Sequence, residues 1–428
     1  MKQKLTNALH VASVVFLPLA SFPVGRSFHL MLSKQIGLYA IGVLALMLWI
    51  IHHFHIPEEE RKAAENRFLV LYLLFLMASI FVAYDKTAAF LGSKARRDGV
   101  LMFFNYIAIY FLARRARVDG DKVIKGLCVS SALISVLALL QSYQIDPPFL
   151  RLYASSWKGM AFSLMGNPNF LGTFLVLTIP AALYYVVEKK KWWGILVYSL
   201  LFLALLATRT RGSWIGGFFA YIAYFFLSRE KLKTTSGFYR RWAALSLLSI
   251  VLMVFFLFTA TYDFEQRLFS IFTDGIDVLS GDDDADFAGS NRVYVWKKVV
   301  GLIRKRPLLG YGVENLSYAM SRAYYDEIVA DYGKFRNWDK AHNEFLNIAV
   351  SSGIPSLAAY IGFLTAVFIK GFRGRLESPH HAFLLAAIIG YLVQAMFNIQ
   401  MILVYYLFMA YLGIVSRSRR DREAVSGV

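Results

Sequence analysis

The chain has 428 residues, of which 57% are hydrophobic and only 17% are charged. A soluble domain of ordinary composition carries about 25% charged residues, so these figures exclude a typical soluble protein. The formal net charge of +18 at pH 7 would suit a nucleic-acid-binding protein. The basic residues crowd instead into short loops between apolar runs, as the positive-inside rule requires of a membrane protein. No nucleic-acid partner is therefore expected.

Apolar runs of about 17 to 25 residues recur along the chain, and each is long enough to cross about 30 Å of hydrocarbon. They lack the period-2 alternation of strands in a membrane barrel. The sequence therefore predicts an all-α polytopic membrane protein with about twelve transmembrane helices. The predicted spans are 7–24, 31–51, 68–84, 98–113, 122–142, 169–187, 192–208, 212–228, 242–260, 353–370, 381–397 and 399–416.

The distribution of basic loops places both termini in the cytoplasm. Residues 1–260 are expected to hold nine spans, residues 261–343 a large loop on the outer face, and residues 344–428 three spans and a basic tail. The basic N-terminus lacks a small-residue cleavage site and is read as an uncleaved first helix. The single cysteine, Cys128, lies in an apolar run and excludes a disulfide or a cysteine metal site within this chain.

Two outer loops carry basic residues against the positive-inside rule. We interpret those of the first loop as side chains that snorkel from helix ends to the membrane surface. Those of the second loop are candidates for binding an anionic headgroup. The residues are Lys86, Lys94, Arg96 and Arg97 in the first loop, and Arg209 and Arg211 in the second.

The polar segment 261–343 contains an acidic run at 282–286, which lacks the spacing of a calcium loop and is interpreted as a solvated surface loop. Further on, Arg292, Trp296, Val299 and Ile303 share one face of a predicted helix that would lie on the membrane surface. His342 follows near the end of the segment, and histidine is the side chain best matched to proton transfer near neutral pH.

The segment Gly166-Asn167-Pro168-Asn169 precedes the sixth span and has two interpretations. Asparagine followed by proline is a favourable helix start, because asparagine caps and proline suits the first turn. The same glycine and amides could shape a polar pocket at the membrane surface. Both interpretations stay open from the residues alone.

Arg211 and Arg292 are predicted to lie on the same membrane face as His342. The guanidinium fork of arginine binds phosphate oxygens in a bidentate way. Two arginines and a histidine together would suit a lipid diphosphate leaving group and a hydroxyl nucleophile.

Several short motifs in order resemble the O-antigen ligase family, which also includes polysaccharide polymerases and protein O-oligosaccharyltransferases. The resemblance extends over essentially the whole chain in span number and loop order. The motifs are Thr-Arg-Gly-Ser-Trp (210–214), Ser-Asn-Arg-Val-Tyr-Val-Trp (290–296), Arg-Pro-Leu-Leu-Gly-Tyr-Gly (306–312), Ala-His-Asn-Glu-Phe-Leu (341–346) and Gly-Ile-Pro (353–355), with Gly-Asn-Pro-Asn (166–169).

This resemblance implies transfer of a glycan from undecaprenyl diphosphate to an acceptor hydroxyl, such as that of a lipid A core, on the outer face of the inner membrane. It implies inversion at the sugar, with no metal and no cofactor. His342 would be the general base, and Arg211 and Arg292 would hold the diphosphate, a role that Arg209 could share. Asn167, Asn169, Tyr311 and Asn343 are candidate pocket residues. Neither Asn343 nor Glu344 is assigned as the orienting partner of His342.

Three other functions remain open. A polysaccharide polymerase would use the same donor chemistry with a different acceptor. A lipid-linked glycan flippase is disfavoured because no Asp or Glu lies well inside a predicted span and no internal repeat is visible. A scaffold protein would explain the spans but not the outward arginines and histidine.

Overall fold

The computed structural model describes residues 2–21, 23–24, 27–28, 30–51, 62–145, 159–260, 264–269, 288–376, 378 and 380–417. Within these residues the protein is helical apart from one antiparallel pair, β1 (Pro23–Val24) with β2 (Ser27–Phe28). The all-α prediction is confirmed. The acidic run at 282–286 lies outside the described residues.

The helices divide at the long polar segment. Up to residue 269 they are α1 (Lys2–Val11), α2 (Leu30–Ile51), α3 (Ala64–Phe81), α4 (Lys86–Leu91), α5 (Val100–Arg115), α6 (Gly120–Ser142), α7 (Pro168–Val187), α8 (Trp193–Ala207), α9 (Arg211–Leu232), α10 (Phe238–Thr259) and α11 (264–269). From residue 288 they are α12 (Ala288–Lys305), α13 (Leu316–Tyr332), α14 (Glu344–Ser352), α15 (Ile354–Arg373), α16 (His381–Ala395) and α17 (Tyr405–Val415). A π turn at Ala12–Phe16 and 3-10 turns at Leu17–Leu19 and Ser163–Met165 complete the helical structure.

Each predicted span overlaps one of these helices. In the described part of the chain, six helices are long and apolar enough to cross a membrane, and three more are apolar but shorter. These findings support a multi-pass membrane protein, whereas the count of twelve spans, the outer-face loop and the three-part division of the chain stay predictions. The six are Leu30–Leu48, Ala64–Phe81, Gly120–Ser142, Pro168–Val187, Phe238–Thr259 and Ile354–Arg373, and the three are α8, α16 and α17.

Helix α7 lies inside the bundle, with its apolar stretch wholly buried by protein. It packs against α6, α8, α9 and α16. Pro180 lies within α7 and removes a backbone N–H, which leaves a carbonyl one turn earlier without its usual donor. The hydroxyl of Tyr411 donates to the carbonyl of Leu177 in that turn at 3.2 Å. A side chain from α17 thus supplies a donor near the proline, as neighbouring helices do in membrane bundles.

Residues 294–350 contain a second hydrophobic cluster, apart from the core of the bundle. Helices α12 and α13 pack together around it, and α13 is kinked at Tyr324, which has φ −141° and ψ 19°. The ammonium groups of Lys298 and Lys305 each lie 5.2 Å from the centre of the Tyr324 ring. Gly301 leaves room for the Tyr324 hydroxyl, which a Cβ at that position would displace. The Tyr324 ring at the kink of α13 therefore packs against α12.

This second cluster is fastened to the bundle by backbone hydrogen bonds. Gly310 has a φ of 62°, and a Cβ there would collide with the carbonyl of Val350, so the close approach requires glycine. The neighbouring bonds run from Tyr311 N to Val350 O at 3.0 Å, from Gly312 N to Ser351 O at 2.8 Å and from Ile354 N to Pro307 O at 2.7 Å. Helices α12 and α13 are thereby held beside the junction of α14 and α15.

Candidate functional site

One pocket of about 240 Å³ contains side chains from five separated parts of the chain. It brings together His342, Arg209, Arg211, Arg292 and Asn169, all of which the sequence singled out. Four arginines and one histidine around a single cavity favour an anionic ligand. The other lining residues are Met160, Pro168, Thr210, Arg267, Asn291, Val295 and Trp338.

Three helices place their N-terminal turns at this pocket. Pro168 and Asn169 are the first residues of α7, and Arg211 is the first residue of α9. In α12, Asn291 has a φ of 65°, so the regular helical backbone runs from Arg292 onward. The dipole at a helix N-terminus attracts an anion. In α7 this dipole acts alone, because the first backbone N–H groups are already bound to Asn167. The backbone therefore adds to the positive potential of the arginines.

The turn between α8 and α9 positions two of the arginines. Arg209 is 3% exposed and has a φ of 52°. The hydroxyl of Thr208 donates to the carbonyl of Leu205 at 2.7 Å and lies 2.9 Å from the hydroxyl of Thr210. These local bonds fix a tight turn, so that both Arg209 and Arg211 reach the same cavity.

A buried polar network joins α16 and the residues just after it to the first two turns of α7 and the first turn of α9. The amide nitrogen of Gln394 donates to the hydroxyls of Thr173 at 2.9 Å and Ser213 at 2.7 Å. The amide nitrogen of Asn398 donates to Thr173 at 2.9 Å and to the carbonyl of Asn169 at 3.3 Å. Because Asn169 lines the pocket, this network supports the wall formed by α7 and α9.

His342 lies at the end of an irregular segment that leads into α14, and its φ is 51°. The side chain of Asn343 caps α14 by accepting a backbone N–H of the first turn at 3.0 Å. On the other side, the N–H of Ala341 donates to Asn347 at 3.2 Å, and its carbonyl accepts from the indole of Trp296 at 3.0 Å. Bonds on both sides of His342 thus set its position.

Two ion pairs anchor the residues just before His342. Two guanidinium nitrogens of Arg96 donate hydrogen bonds to the carboxylate of Asp339, at 2.6 and 3.0 Å. Lys340 and Glu314 form a buried pair at 2.6 Å. The snorkelling interpretation is therefore wrong for Arg96, because its charge is bound by a carboxylate of a distant segment. Arg97 donates at 3.0 Å to a glutamine side chain of α2.

His342 is neutral at pH 7. The pKa of His342 is lowered from its ordinary value to about 4, mainly by burial. The positive charges of Arg292 and Arg96 also lower this pKa, whereas the negative charge of Asp339 raises it. A neutral imidazole has one nitrogen that accepts a proton. The residue therefore combines a basic nitrogen with a cavity rich in positive charge.

Three of the candidate pocket residues do not line the cavity. Asn167 caps α7 by accepting the N–H of Asn169 at 2.8 Å. The segment 166–169 therefore starts a helix, and its last residue, Asn169, also lines the pocket. Tyr311 is buried in the second cluster, with the guanidinium of Arg306 4.7 Å from its ring centre. Asn343 acts as the cap of α14.

Glu344 faces the bundle. Its two carboxylate oxygens accept hydrogen bonds from Tyr360 at 2.6 Å and Tyr391 at 2.7 Å. Burial raises the pKa of Glu344 to about 7, against the effect of the tyrosine hydroxyls and of Lys340. With both oxygens engaged by helices α15 and α16, this carboxylate contributes to the anchoring of α14.

Arg267 and Trp338 line the pocket but were missed in the sequence. Arg267 is an exposed residue of α11, and no motif surrounds it. Trp338 is half-buried and precedes His342 by four residues, a spacing that carries no signal in an irregular segment. Their position follows only from the packing of α11, α12 and the segment before α14.

Comparison with known proteins gives two matches. Residues 195–361 match the family model described as O-antigen ligase. The chain is also 23% identical over 319 residues to the ComP-specific O-oligosaccharyltransferase of Acinetobacter baylyi, a match that covers 72% of this chain and 53% of that protein. The chain thus spans about half the length of this curated relative. Since the matched segment contains Arg209, Arg211, Arg292 and His342, the resemblance to the O-antigen ligase family that the motifs predict is confirmed.

Proposed function

We propose that this protein is a glycosyltransferase that moves a glycan from undecaprenyl diphosphate to an acceptor hydroxyl on the outer face of the bacterial inner membrane. The observation that carries the proposal is the meeting of His342 with Arg209, Arg211 and Arg292 in one pocket. Membrane lipids surround the spans, and both termini lie in the cytoplasm.

The arginines would bind the diphosphate of the donor. A diphosphate presents several oxygens with delocalised negative charge, and a guanidinium binds two such oxygens at once. The helix N-termini of α7, α9 and α12 reinforce this binding. As the bond from the sugar to the diphosphate breaks, charge grows on the leaving oxygen, and donors fixed beforehand stabilise that charge. We assign this role to Arg209, Arg211 and Arg292, and add Arg267.

His342 would accept the proton of the acceptor hydroxyl. The acceptor oxygen forms a bond to the anomeric carbon, the bond from that carbon to the diphosphate oxygen breaks, and its electron pair leaves with undecaprenyl diphosphate. Attack from the side opposite the diphosphate inverts the anomeric centre. The proton is then released from His342 to the diphosphate or to water, so the reaction needs no metal and no cofactor.

The size of the pocket fits the reacting groups rather than the whole substrate. About 240 Å³ is less than the ~300–1,000 Å³ of pockets that bury a drug-sized ligand. A diphosphate and the adjoining sugar would occupy the pocket, while the rest of the glycan and the lipid chain lie outside it.

The acceptor decides between the members of this class. A lipid A core would make the protein an O-antigen ligase, which is our first choice. A second lipid-linked glycan would make it a polysaccharide polymerase, and the name of the curated relative adds a protein hydroxyl as a third acceptor. The pocket chemistry is the same in all three.

The first test replaces the base. We expect His342→Ala to abolish transfer from an undecaprenyl diphosphate glycan, measured as product mass with purified protein, both with and without a chelator. His380→Ala is the matched control, because His380 pairs with Asp121 near the other end of α16. Near-normal product from His342→Ala in folded protein would refute the base assignment, and movement of the donor lipid across liposomes without transfer would favour a flippase.

The second test separates shape from charge at the diphosphate site. Arg211→Lys keeps the positive charge but loses the bidentate fork, so we expect at least a tenfold loss of kcat/KM, about 1.4 kcal/mol. Arg304→Lys, at an exposed position of α12 that does not line the pocket, is the control. Full activity of Arg211→Lys would show that charge alone suffices.

A further inference from the structure

The pocket has an aromatic wall whose role the diphosphate chemistry does not explain. Trp338 lines the same cavity as His342 and Arg292, and among the described lining residues it is the one Phe, Tyr or Trp. The neighbouring lining residues are cations, polar groups or aliphatic side chains. A half-buried indole therefore contributes a neutral aromatic side chain to a cavity that is otherwise strongly cationic.

Two tyrosine rings pack against this indole and restrict its orientation. The rings of Tyr294 and Tyr332 each lie 5.7 Å from the ring of Trp338, at interplanar angles of 43° and 67°. The hydroxyl of Tyr294 donates to Asp331 at 2.7 Å, and the hydroxyl of Tyr332 donates to Asn291 at 3.3 Å. The cluster thus joins α12, α13 and the segment before His342, so the indole is oriented before any ligand arrives.

The chemistry of an indole face suits a sugar ring. An aromatic face carries partial negative charge. The C–H groups on one face of a pyranose carry partial positive charge and form an apolar patch that stacks on such a face. A wall that is already fixed loses little conformational entropy when the sugar binds. Phosphate, in contrast, gains nothing from a neutral aromatic surface.

We propose that Trp338 is the carbohydrate-binding wall of this pocket, on which a pyranose ring of the donor or the acceptor stacks beside His342. This inference rests on the proposed glycan transfer and names a part of the substrate that the arginines do not contact. Trp338 is a positioning residue for the sugar, while His342 and the arginines act on the reacting atoms.

The test compares Trp338→Leu with Phe335→Leu. Phe335 belongs to the same segment and is half-buried, but it stacks on Tyr325 at 5.2 Å and does not line the pocket. We expect Trp338→Leu to raise the KM for a sugar substrate about tenfold, which corresponds to about 1.4 kcal/mol. Trp338→Phe should restore part of this loss, and Phe335→Leu should leave KM unchanged.

A binding measurement identifies which sugar stacks. Tryptophan fluorescence of the wild-type protein minus that of Trp338→Phe isolates the signal of this indole. The probes are undecaprenyl diphosphate without sugar, undecaprenyl diphosphate carrying one sugar, and a lipid A core oligosaccharide. A change with the sugar-bearing donor alone assigns the wall to the donor, and a change with the oligosaccharide assigns it to the acceptor.

Two results would overturn the proposal while glycan transfer itself stands. One is an unchanged KM for both substrates in folded Trp338→Leu. The other is an equal fluorescence change with sugar-free undecaprenyl diphosphate. If the wild-type protein transfers no glycan at all, the proposed function fails first, and the fluorescence arms still report whether a sugar binds at Trp338.

Discussion

The pKa of His342 depends both on the arginine-rich pocket and on the burial of the segment that carries this residue. Its pKa of about 4 leaves His342 almost wholly neutral under physiological conditions. A weakly basic imidazole is a poor proton acceptor until positive charge nearby is compensated. The diphosphate of the proposed donor would bring that compensation, because its negative charge opposes the effect of Arg292. Donor binding should therefore strengthen the base.

This linkage predicts two different pH profiles. The free enzyme should lose kcat/KM only as pH falls toward about 4, because His342 is protonated there. The profile of kcat should fall at a higher pH, because the bound diphosphate raises the pKa of His342. Initial rates between pH 4 and 8 at low and saturating donor would measure both limbs. Coincident limbs near the ordinary histidine pKa of about 6.5 would contradict this account.

The same residue predicts a pH effect on stability. The folded pKa of His342 lies below its unfolded value, so the unfolded chain binds more protons at acidic pH. The wild-type protein should therefore lose stability as pH falls from about 6.5 toward 4, and His342→Gln should lose less over that window. Thermal unfolding in detergent at pH 7 and pH 5 would measure the difference. An identical pH response of both proteins would show that other groups dominate.

At the scale of single elements, the segment before α14 depends on buried charge. Lys340 is 5% exposed and Glu314 is 2% exposed at their side chains, and the nearby Asp98 is also buried. The ammonium of Lys340 also interacts electrostatically with the carboxylate of Asp98. A single ammonium thus stabilises two acidic groups from distant parts of the chain. Its loss should loosen the segment that holds His342.

Because Lys340 and Glu314 are paired, we expect the stability losses of the two single variants and the double variant to be strongly non-additive. Lys340→Met leaves Glu314 buried without its cation, which costs about 3–5 kcal/mol in comparable pairs. Lys340→Met combined with Glu314→Leu should recover much of that loss, because no isolated charge remains between them. Unfolding temperatures of the two single variants and the double variant would measure the coupling. Additive losses would show that the two side chains do not interact.

The helices of the bundle could be predicted from hydrophobicity because each apolar run is continuous. The expected span 169–187 differs by one residue from α7, since Asn167 and Pro168 give a clear helix start. Helix α13 was not predicted, because its apolar residues are interspersed with charged ones and it is kinked at Tyr324. Contacts such as that between Arg96 and Asp339 join residues 243 positions apart, and no local pattern reports them.

The candidate site was predictable where motifs and chemistry coincide. Arg211, Arg292 and His342 belong to motifs and have side chains with a definite task, and all three line one pocket. Tyr311 and Asn343 belong to motifs as well, but they fill a core and cap a helix. Motif membership alone could not separate these roles. Trp338 and Arg267 reach the pocket only through tertiary packing.

At the scale of the whole molecule, the predicted topology has a direct test. In a Cys128→Ser background, Lys334→Cys and Lys190→Cys each place one thiol at an exposed position. We expect a membrane-impermeant maleimide to label Lys334→Cys in intact cells with a permeable outer membrane, and Lys190→Cys only after the inner membrane is opened. Labelling of both in intact cells would contradict the assignment of the pocket to the outer face.

The complete burial of α7 has a consequence for biogenesis. Its length and hydropathy are sufficient for this helix to enter the bilayer by itself, before α16 and α17 have been synthesised. Lipid must occupy their places until they arrive, because a membrane leaves no empty volume. Only then can Gln394 bind Thr173 and Ser213 and support the first turns of α7 and α9. The pocket around His342 is therefore completed last, so we expect a chain truncated before α16 to insert into the membrane without a complete pocket.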